Sequence, residues 1–353
     1  MAKIAAVDIG GANIKCFGPG EQSLLRPFRL WRYPHDLSTI LSDVFDNLGH
    51  FDVLAVTMTG EHCDCFETKA EGVRHILAAV KAAAVRRSGT VSSGKRGWPE
   101  VLVWRTDRRL GSLSEALADP LPSSAANWLA LAMVAGRLAP AGRSLLVDIG
   151  STTTDLIPIR DGDPAPSGLT DTERLMAGEL VYTGVSRTPV SAVVHELPYR
   201  GRLCPIAAEV FATTRDAYLI LELLPEAQDD VDTADGRPAT RDRARDRLAR
   251  MICADPAGFD DEAAGAAARH ILSEQVLRLR QAVLRFGAGP LSTVIISGSG
   301  EFLARQALQG LSTRVVSLAA TMNAGISTVA PAYALWCLAA EHVEGKKPPQ
   351  VPA

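Results

Sequence analysis

Ile4-Ala-Ala-Val-Asp-Ile-Gly-Gly-Ala-Asn-Ile-Lys15 and Leu145-Leu-Val-Asp-Ile-Gly-Ser-Thr-Thr-Thr-Asp-Leu-Ile-Pro-Ile159 are two versions of one pattern. Each reads as a buried strand ending at Asp, a Gly turn rich in small hydroxyl or amide residues, then a second strand. The strands fall at 3–7 and 13–17 in the first copy and at 145–149 and 153–159 in the second. One such hairpin is a weak signal. Two, facing each other across a cleft, make a clamp for a phosphate chain.

A Gly turn after a strand lets backbone N–H groups approach phosphate oxygens with no Cβ in the way. Gly10, Gly11 and Gly150 meet that need. Ser151, Thr152 and Thr153 add hydroxyl donors, and Asn13 and Lys15 add an amide and a charge. Asp8, Asp148 and Asp155 repel anions and suit a hydrated Mg²⁺, which keeps several waters and takes few carboxylates. A third turn, Ile296-Ser-Gly-Ser-Gly-Glu301, follows a buried strand and opens a helix. There Gly298 and Gly300, with Ser299 between them, permit close approach of an adenosine, and Glu301 can bond a ribose.

Outward from the hairpins, strands alternate with helices. The pattern predicts strands around 25–31 and at 53–57, 101–104, 293–296 and 315–318, and helices at 36–48, 72–85, 262–286, from 301, and 324–342. Ser123 or Ser124 is the expected cap of the helix carrying Asn127. Residues 86–97 read as a loop, 346–353 as a tail, and Ala227–Arg250 as an exposed polar loop passing into a helix. The duplication implies two α/β domains with mixed sheets. The first spans 1–142 plus about 324–345; the second spans 143–323, with an insertion around 165–260.

Composition narrows the partners. The chain has 353 residues, 47% of them apolar, and a net charge of −3, enough for two cores and too little basic excess for a nucleic-acid face. Met-Ala-Lys-Ile opens no signal peptide and no stretch approaches a membrane span. Six scattered cysteines form no disulfide framework and suit a reducing cytoplasm. Small-molecule substrates are the expected partners, not nucleic acid or membrane, with a homodimer left open.

Phosphate turn, phosphate turn and adenosine turn in that order resemble the superfamily of acetate kinase, actin, Hsp70 and sugar kinases. The resemblance implies two duplicated ribonuclease-H-like domains with a phosphate group or nucleotide between them, and a final helix, Gly325–Trp336, acting as a hinge element. Longer stretches are more specific: Thr57–Val73, Ala125–Ala132, Arg174–Pro189, Phe211-Ala-Thr-Thr and Asp232–Pro238. These resemble the hydantoinase/oxoprolinase-related branch, and within it the tetrahydromethanopterin-linked C1-transfer proteins, whose archaeal members are condensing synthases of methanofuran biosynthesis.

That resemblance implies a reaction in which an aminomethyl-furan-methyl diphosphate is joined to the phenol oxygen of a γ-glutamyl-tyramine or tyrosine-type acceptor. It implies Mg²⁺, with ATP or the diphosphate-bearing substrate in the same cleft. Phenol ionises near pH 10 and needs a base or a desolvating site. Glu61 is the first candidate and Asp64 the second, with Asp8 beside them; the alternative for Glu61 is a turn cap. Glu179, Tyr182 and Arg187 belong to a Gly-rich loop on which Arg187 can pair with the glutamyl carboxylate, or form an ordinary surface ion pair. His62-Cys63-Asp64-Cys65 invites a metal, yet no second pair completes a zinc site, which favours a cleft wall. The paired cysteines of the dehydratase activators are missing from the right place. ATP-dependent hydantoinase, oxoprolinase or kinase activity, and a nucleotide-binding protein without chemistry, are the competing readings.

Overall fold

The computed structural model describes residues 2–88, 98–287 and 291–345. Residues 89–97 of the expected loop, and the expected tail 346–353, lie outside the described residues.

Two six-stranded sheets organise the chain. The first contains β1 (Ile4–Ile9), β2 (Asn13–Gly18), β3 (Gln22–Pro27), β4 (Val53–Met58), β5 (Glu100–Trp104) and β6 (Leu110–Ser112), in the order β3-β2-β1-β4-β5-β6. The second contains β7 (Arg143–Ile149), β8 (Thr154–Arg160), β9 (Asp163–Pro164) and β10 (Leu180–Val181). A small hairpin of β11 (Glu196–Tyr199) and β12 (Arg202–Pro205) stands apart, and β13 (Thr293–Ser297) and β14 (Arg314–Ser317) complete the second sheet. Its order is β10-β8-β7-β13-β14, with β9 on β8. In both sheets an antiparallel hairpin continues into parallel strands: β2-β1-β4-β5 and β8-β7-β13-β14. This is the duplicated ribonuclease-H-like arrangement of the actin and Hsp70 class.

The central strands are buried and apolar along most of their length because both faces are covered. On the outer face of the first sheet, Ile14, Val56 and Val103 pack with Leu41, Phe45, Leu77 and Val80 of the helices Leu37–Asn47 and Lys69–Ser88. The inner face meets the helices Asn127–Ala135 and Ala330–Glu344, and these also cover the second sheet. Ala6, Ala55, Leu129, Leu335, Leu146, Ile157 and Ile295 share one buried cluster. The two sheets therefore turn their inner faces toward the same pair of helices.

Several expected elements shift. The third strand lies at Gln22–Pro27 rather than 25–31. The helix expected at 324–342 is two, Ala324–Thr328 and Ala330–Glu344, divided at Val329 just before Pro331. Neither Ser123 nor Ser124 caps the helix at Asn127; its N-cap is Ala126. The charged stretch 227–250 is not simply exposed. Arg247 is fully buried, paired with Asp216 and Asp235, in an insertion with its own core around Val190, Leu197, Leu248 and Phe259.

Candidate active site

Strand alternation decides which side chains meet. Asp8 stands opposite Lys15 on one side and Thr57 on the other, on the inner face that carries Ala6 and Ala55. Asp148 stands opposite Asp155 and Ser297, on the inner face that carries Leu146 and Ile295. Two polar rows thus end the facing sides of the sheets. The charge of Lys15 reaches all three carboxylates, those of Asp8, Asp148 and Asp155.

The turns above these rows match. The Gly10 N–H donates to the Asn13 carbonyl and the Gly150 N–H to the Thr153 carbonyl, each at 2.9 Å. Those two amides close the turns and are spent. Among the described residues the N–H groups of Gly11, Ala12, Ser151 and Thr152 carry no internal hydrogen bond, giving each turn a pair of open donors. The segment 184–187 lies over the second turn: Val185 donates to the Gly150 carbonyl, and Ser186 and Arg187 to that of Ser151. Gly184 has to be glycine, since a Cβ there would stand 2.6 Å from the Thr152 nitrogen.

Burial raises the carboxyls of Asp8 and Asp155, and pushes that of Asp148 up to about 6 with help from the neighbouring charge of Asp155. Asp8 is 2% exposed; Asn127 Nδ2 donates to its Oδ2 at 3.2 Å, while Oδ1 is buried without a partner. Asp148 accepts from Ser297 Oγ. An orphaned carboxylate oxygen beside crowded buried negative charge is what a hydrated Mg²⁺ would relieve. Asp155 is corrected as a ligand, because the buried Arg174 guanidinium pairs with it and also lies 4.1 Å over the Trp128 ring. No group of three or more His, Cys, Asp or Glu side chains forms a metal cage among the described residues.

Glu61 sits in the tight turn Gly60–His62 after β4 and is 1% exposed. Gly72 makes room for it, since a Cβ there would meet the Glu61 backbone at 2.7 Å. Ser124 Oγ donates to Glu61 Oε1 at 2.6 Å; Oε2 is buried with no partner. Burial raises this carboxyl, and the neighbouring His62 and the Ser124 bond oppose the rise. Asp64 is exposed. His62 Nε2 lies 2.6 Å from Asp171 Oδ2 and 3.4 Å from Glu61 Oε1, which accounts for His62 without a metal. The Cys63 thiol is pushed up to about 11, mainly by burial, so it is no ready thiolate ligand.

Three further assignments change. Glu179 is fully buried and its oxygens accept from the Ser167 and Gly168 amides, so it anchors a loop instead of meeting substrate. Glu301 accepts from Ala319 N and from the Ser317 and Ser327 hydroxyls, so both its oxygens are engaged within the fold. Gly298 and Gly300 serve chain packing: Cβ atoms there would stand 2.4 Å from the Ile149 carbonyl and 2.3 Å from its side chain. Ser299, Tyr182 and Arg187 are exposed, and the charge of Arg187 reaches Cys63 in the other half.

A family model described as hydantoinase/oxoprolinase matches residues 52–340. The chain belongs to the hydantoinase/oxoprolinase family. It is similar to a protein of Methanocaldococcus jannaschii named (4-{4-[2-(gamma-L-glutamylamino)ethyl]phenoxymethyl}furan-2-yl)methanamine synthase, 32% identical over 336 residues, covering 94% of this chain and 96% of that one. A protein of Methanococcus vannielii with the same name is 32% identical over 210 residues, 57% of this chain and 93% of that one. Solved structures with a similar course include nucleotide-free acetone carboxylase (TM-score 0.48, 14% identity, 92% of this chain and 51% of that one). Another is the archaeal actin homologue Ta0583 (TM-score 0.43, 12% identity, 97% and 100%).

Within this hydantoinase/oxoprolinase chain, sequence reasoning passed over Thr57, Ser124, Asn127, Asp171 and Arg174. Thr57 Oγ1 is buried without a partner beside Asp8. One signal was present for Asp171: Thr170-x-x-Glu173 is a capping box that starts the helix Asp171–Ala177. No helix among the described residues is long and apolar enough to cross a membrane.

Proposed function

We propose that this chain forms the aryl ether named in its relatives, joining a furan-methyl diphosphate to the phenol oxygen of a γ-glutamyl-tyramine or tyrosine-type acceptor. The observation that carries the reading is the end-to-end match, at 32% identity, to a synthase whose named product contains that phenoxymethyl-furan link. The site's chemistry supports it. Open amides of both Gly turns and Lys15 suit a diphosphate, and Asp8 and Asp148 would hold a hydrated Mg²⁺ that offsets charge on the leaving oxygens. The phenolic proton goes to Glu61 Oε2, the buried oxygen with no internal partner. The phenol oxygen bonds to the furan methylene, and the carbon–oxygen bond to diphosphate breaks with its electron pair leaving on diphosphate. The exposed Arg187 would pair with the acceptor's carboxylate.

Purified protein incubated with Mg²⁺, the aminomethyl-furan-methyl diphosphate and each acceptor should release diphosphate and give the ether by mass spectrometry. Glu61→Gln should slow this by about 10²- to 10⁴-fold. No ether with either acceptor refutes the reading. Hydantoin- or oxoproline-stimulated ATP turnover instead would favour the activity for which the family is described.

A further inference from the structure

Among the described residues, His62 touches a carboxylate from each half of the molecule. Its Nε2 lies 3.4 Å from Glu61 Oε1 on its own turn and 2.6 Å from Asp171 Oδ2, which the helix Asp171–Ala177 brings from the second half. Asp171 is itself held, with Arg174 Nη1 3.5 Å from its other oxygen. We propose that His62 is a positioning residue for the base, holding the Glu61 carboxylate ionised and oriented, and that it does so only with Asp171 in place. The base of the proposed ether synthesis is then assembled from both halves, and this inference rests on that reading.

The physical case begins with a conflict. Glu61 needs burial to keep water from the reacting centre, yet burial alone protonates a carboxyl and removes the base. A neighbouring cation opposes that rise without cancelling it. His62 carries that charge because Asp171 accepts its proton-bearing nitrogen, raising the imidazole above its ordinary range, with the Glu61 charge adding to the rise. The other groups facing this triad are few. Lys69, at the start of the helix Lys69–Ser88, opposes the charge on His62 and favours that on Asp171, and Ser124 bonds Glu61. Burial works to raise the Asp171 carboxyl, but His62 and Arg174 outweigh it and hold it low. Asp171 therefore stays ionised while His62 titrates. Ser124 and His62 both approach Oε1, which leaves the buried Oε2 without an internal partner and available as the proton acceptor.

The signs follow. In His62→Gln, Glu61 loses its cation and its carboxyl rises. In Asp171→Asn, His62 loses its proton at lower pH, while loss of the Asp171 charge, which itself raises the Glu61 carboxyl, offsets part of that rise. The acidic limb of kcat/KM against pH should move up by about one pH unit or more in His62→Gln and by less in Asp171→Asn. Asp171→Glu should restore most of the wild-type profile. A role confined to folding would lower the rate without moving the limb. A limb unmoved in both folded, active variants overturns the proposal.

A second measurement needs no turnover. His62 ring resonances followed by NMR should titrate above the ordinary value near 6.5 in wild type, and lower in Asp171→Asn and in Glu61→Gln. Identical titration in all three proteins overturns the proposal. If wild-type protein turns over neither acceptor, the ether-synthase reading fails by itself, while the His62 titration still decides whether the triad is coupled.

Discussion

The two hairpins share a backbone and differ in charge. In the first, the ladder sets Lys15 opposite Asp8; in the second, the same position opposite Asp148 is Asp155. The first copy therefore supplies its own cation from within the hairpin. The second sets the buried Asp148 beside the partly buried Asp155 and imports its cation, Arg174, from a helix nineteen residues downstream. Lys15 is only partly buried, so its charge can serve an incoming phosphate. Arg174 is 1% exposed and engaged by Asp155, Asp171 and the Glu179 carbonyl, so its charge is spent on the fold. Duplication has kept the turn and divided the charge: one half leaves its cation partly exposed, the other holds its cation inside.

The largest expected effect tests that division at Arg174. Replacing the buried Arg174 by Met leaves the partly buried Asp155 without its partner, which should cost about 2–3 kcal/mol of unfolding free energy in urea. Adding Asp155→Asn should recover most of it, since no stranded charge remains. Lys15→Met, by contrast, should leave stability within about 1 kcal/mol of wild type, as a half-buried charge with solvent access does. If Arg174→Met were no more damaging than Lys15→Met, the two cations would be equivalent and the comparison would collapse.

That asymmetry also marks what could be read from the residues. The hairpins and their parallel neighbours were legible because strand, turn and strand are written contiguously, and Asp8 opposite Lys15 follows from a hairpin's own register. Arg174 was not legible as a partner. Thr170-x-x-Glu173 announces a helix start, yet nothing local says the helix will land on β8. Glu301 failed for the same reason in reverse. An acid after a Gly turn looks free until Ser317, Ala319 and Ser327 fold back onto it. Glu179 looks like a loop acid, and becomes an anchor once Ser167 and Gly168 meet it. Glu61 was legible as a candidate because it follows a buried strand; its contact with His62, and that of His62 with Asp171, needed both halves in place.

A smaller effect separates the two Asp residues. The Asp148 carboxyl, pushed up to about 6 by burial and by Asp155, holds its proton more tightly in the folded chain than in the unfolded one. Stability from this group is complete below its ordinary value of 3.8 and is lost as pH rises through about 6. Asp148→Asn removes the cost of the buried charge while still accepting from Ser297. It should therefore be more stable than wild type above pH 6, by on the order of 2 kcal/mol, with the gap closing below about pH 4. Thermal melts at pH 4 and pH 8 read this directly. Saturating Mg²⁺ should raise the melting temperature of wild type and do so less for Asp148→Asn, since a ligand stabilises only the state that binds it. An equal response in both proteins would remove Asp148 from the proposed metal site.

The smallest effect sets the two turns against each other one methyl at a time. A Cβ at Gly10 would stand 3.0 Å from the Asn13 carbonyl and 3.5 Å from Thr59 Oγ1, whereas at Gly150 its nearest neighbour is the Thr153 carbonyl at 3.6 Å. Gly10→Ala forces a tight contact and should cost about 1 kcal/mol. Gly150→Ala meets an ordinary van der Waals distance, and its stiffer unfolded chain should leave stability unchanged or raised by about 0.5 kcal/mol. Stability and ligand binding then part company at Gly150. A methyl group that disturbs no neighbour still fills the space a phosphate oxygen needs beside the open amides of Ser151 and Thr152. Calorimetric titration of diphosphate with Mg²⁺ should show Gly150→Ala weakened while its melting curve matches wild type. Wild-type affinity in Gly150→Ala would mean that the second hairpin, for all its likeness to the first, stands outside the clamp and that the first holds the phosphate alone.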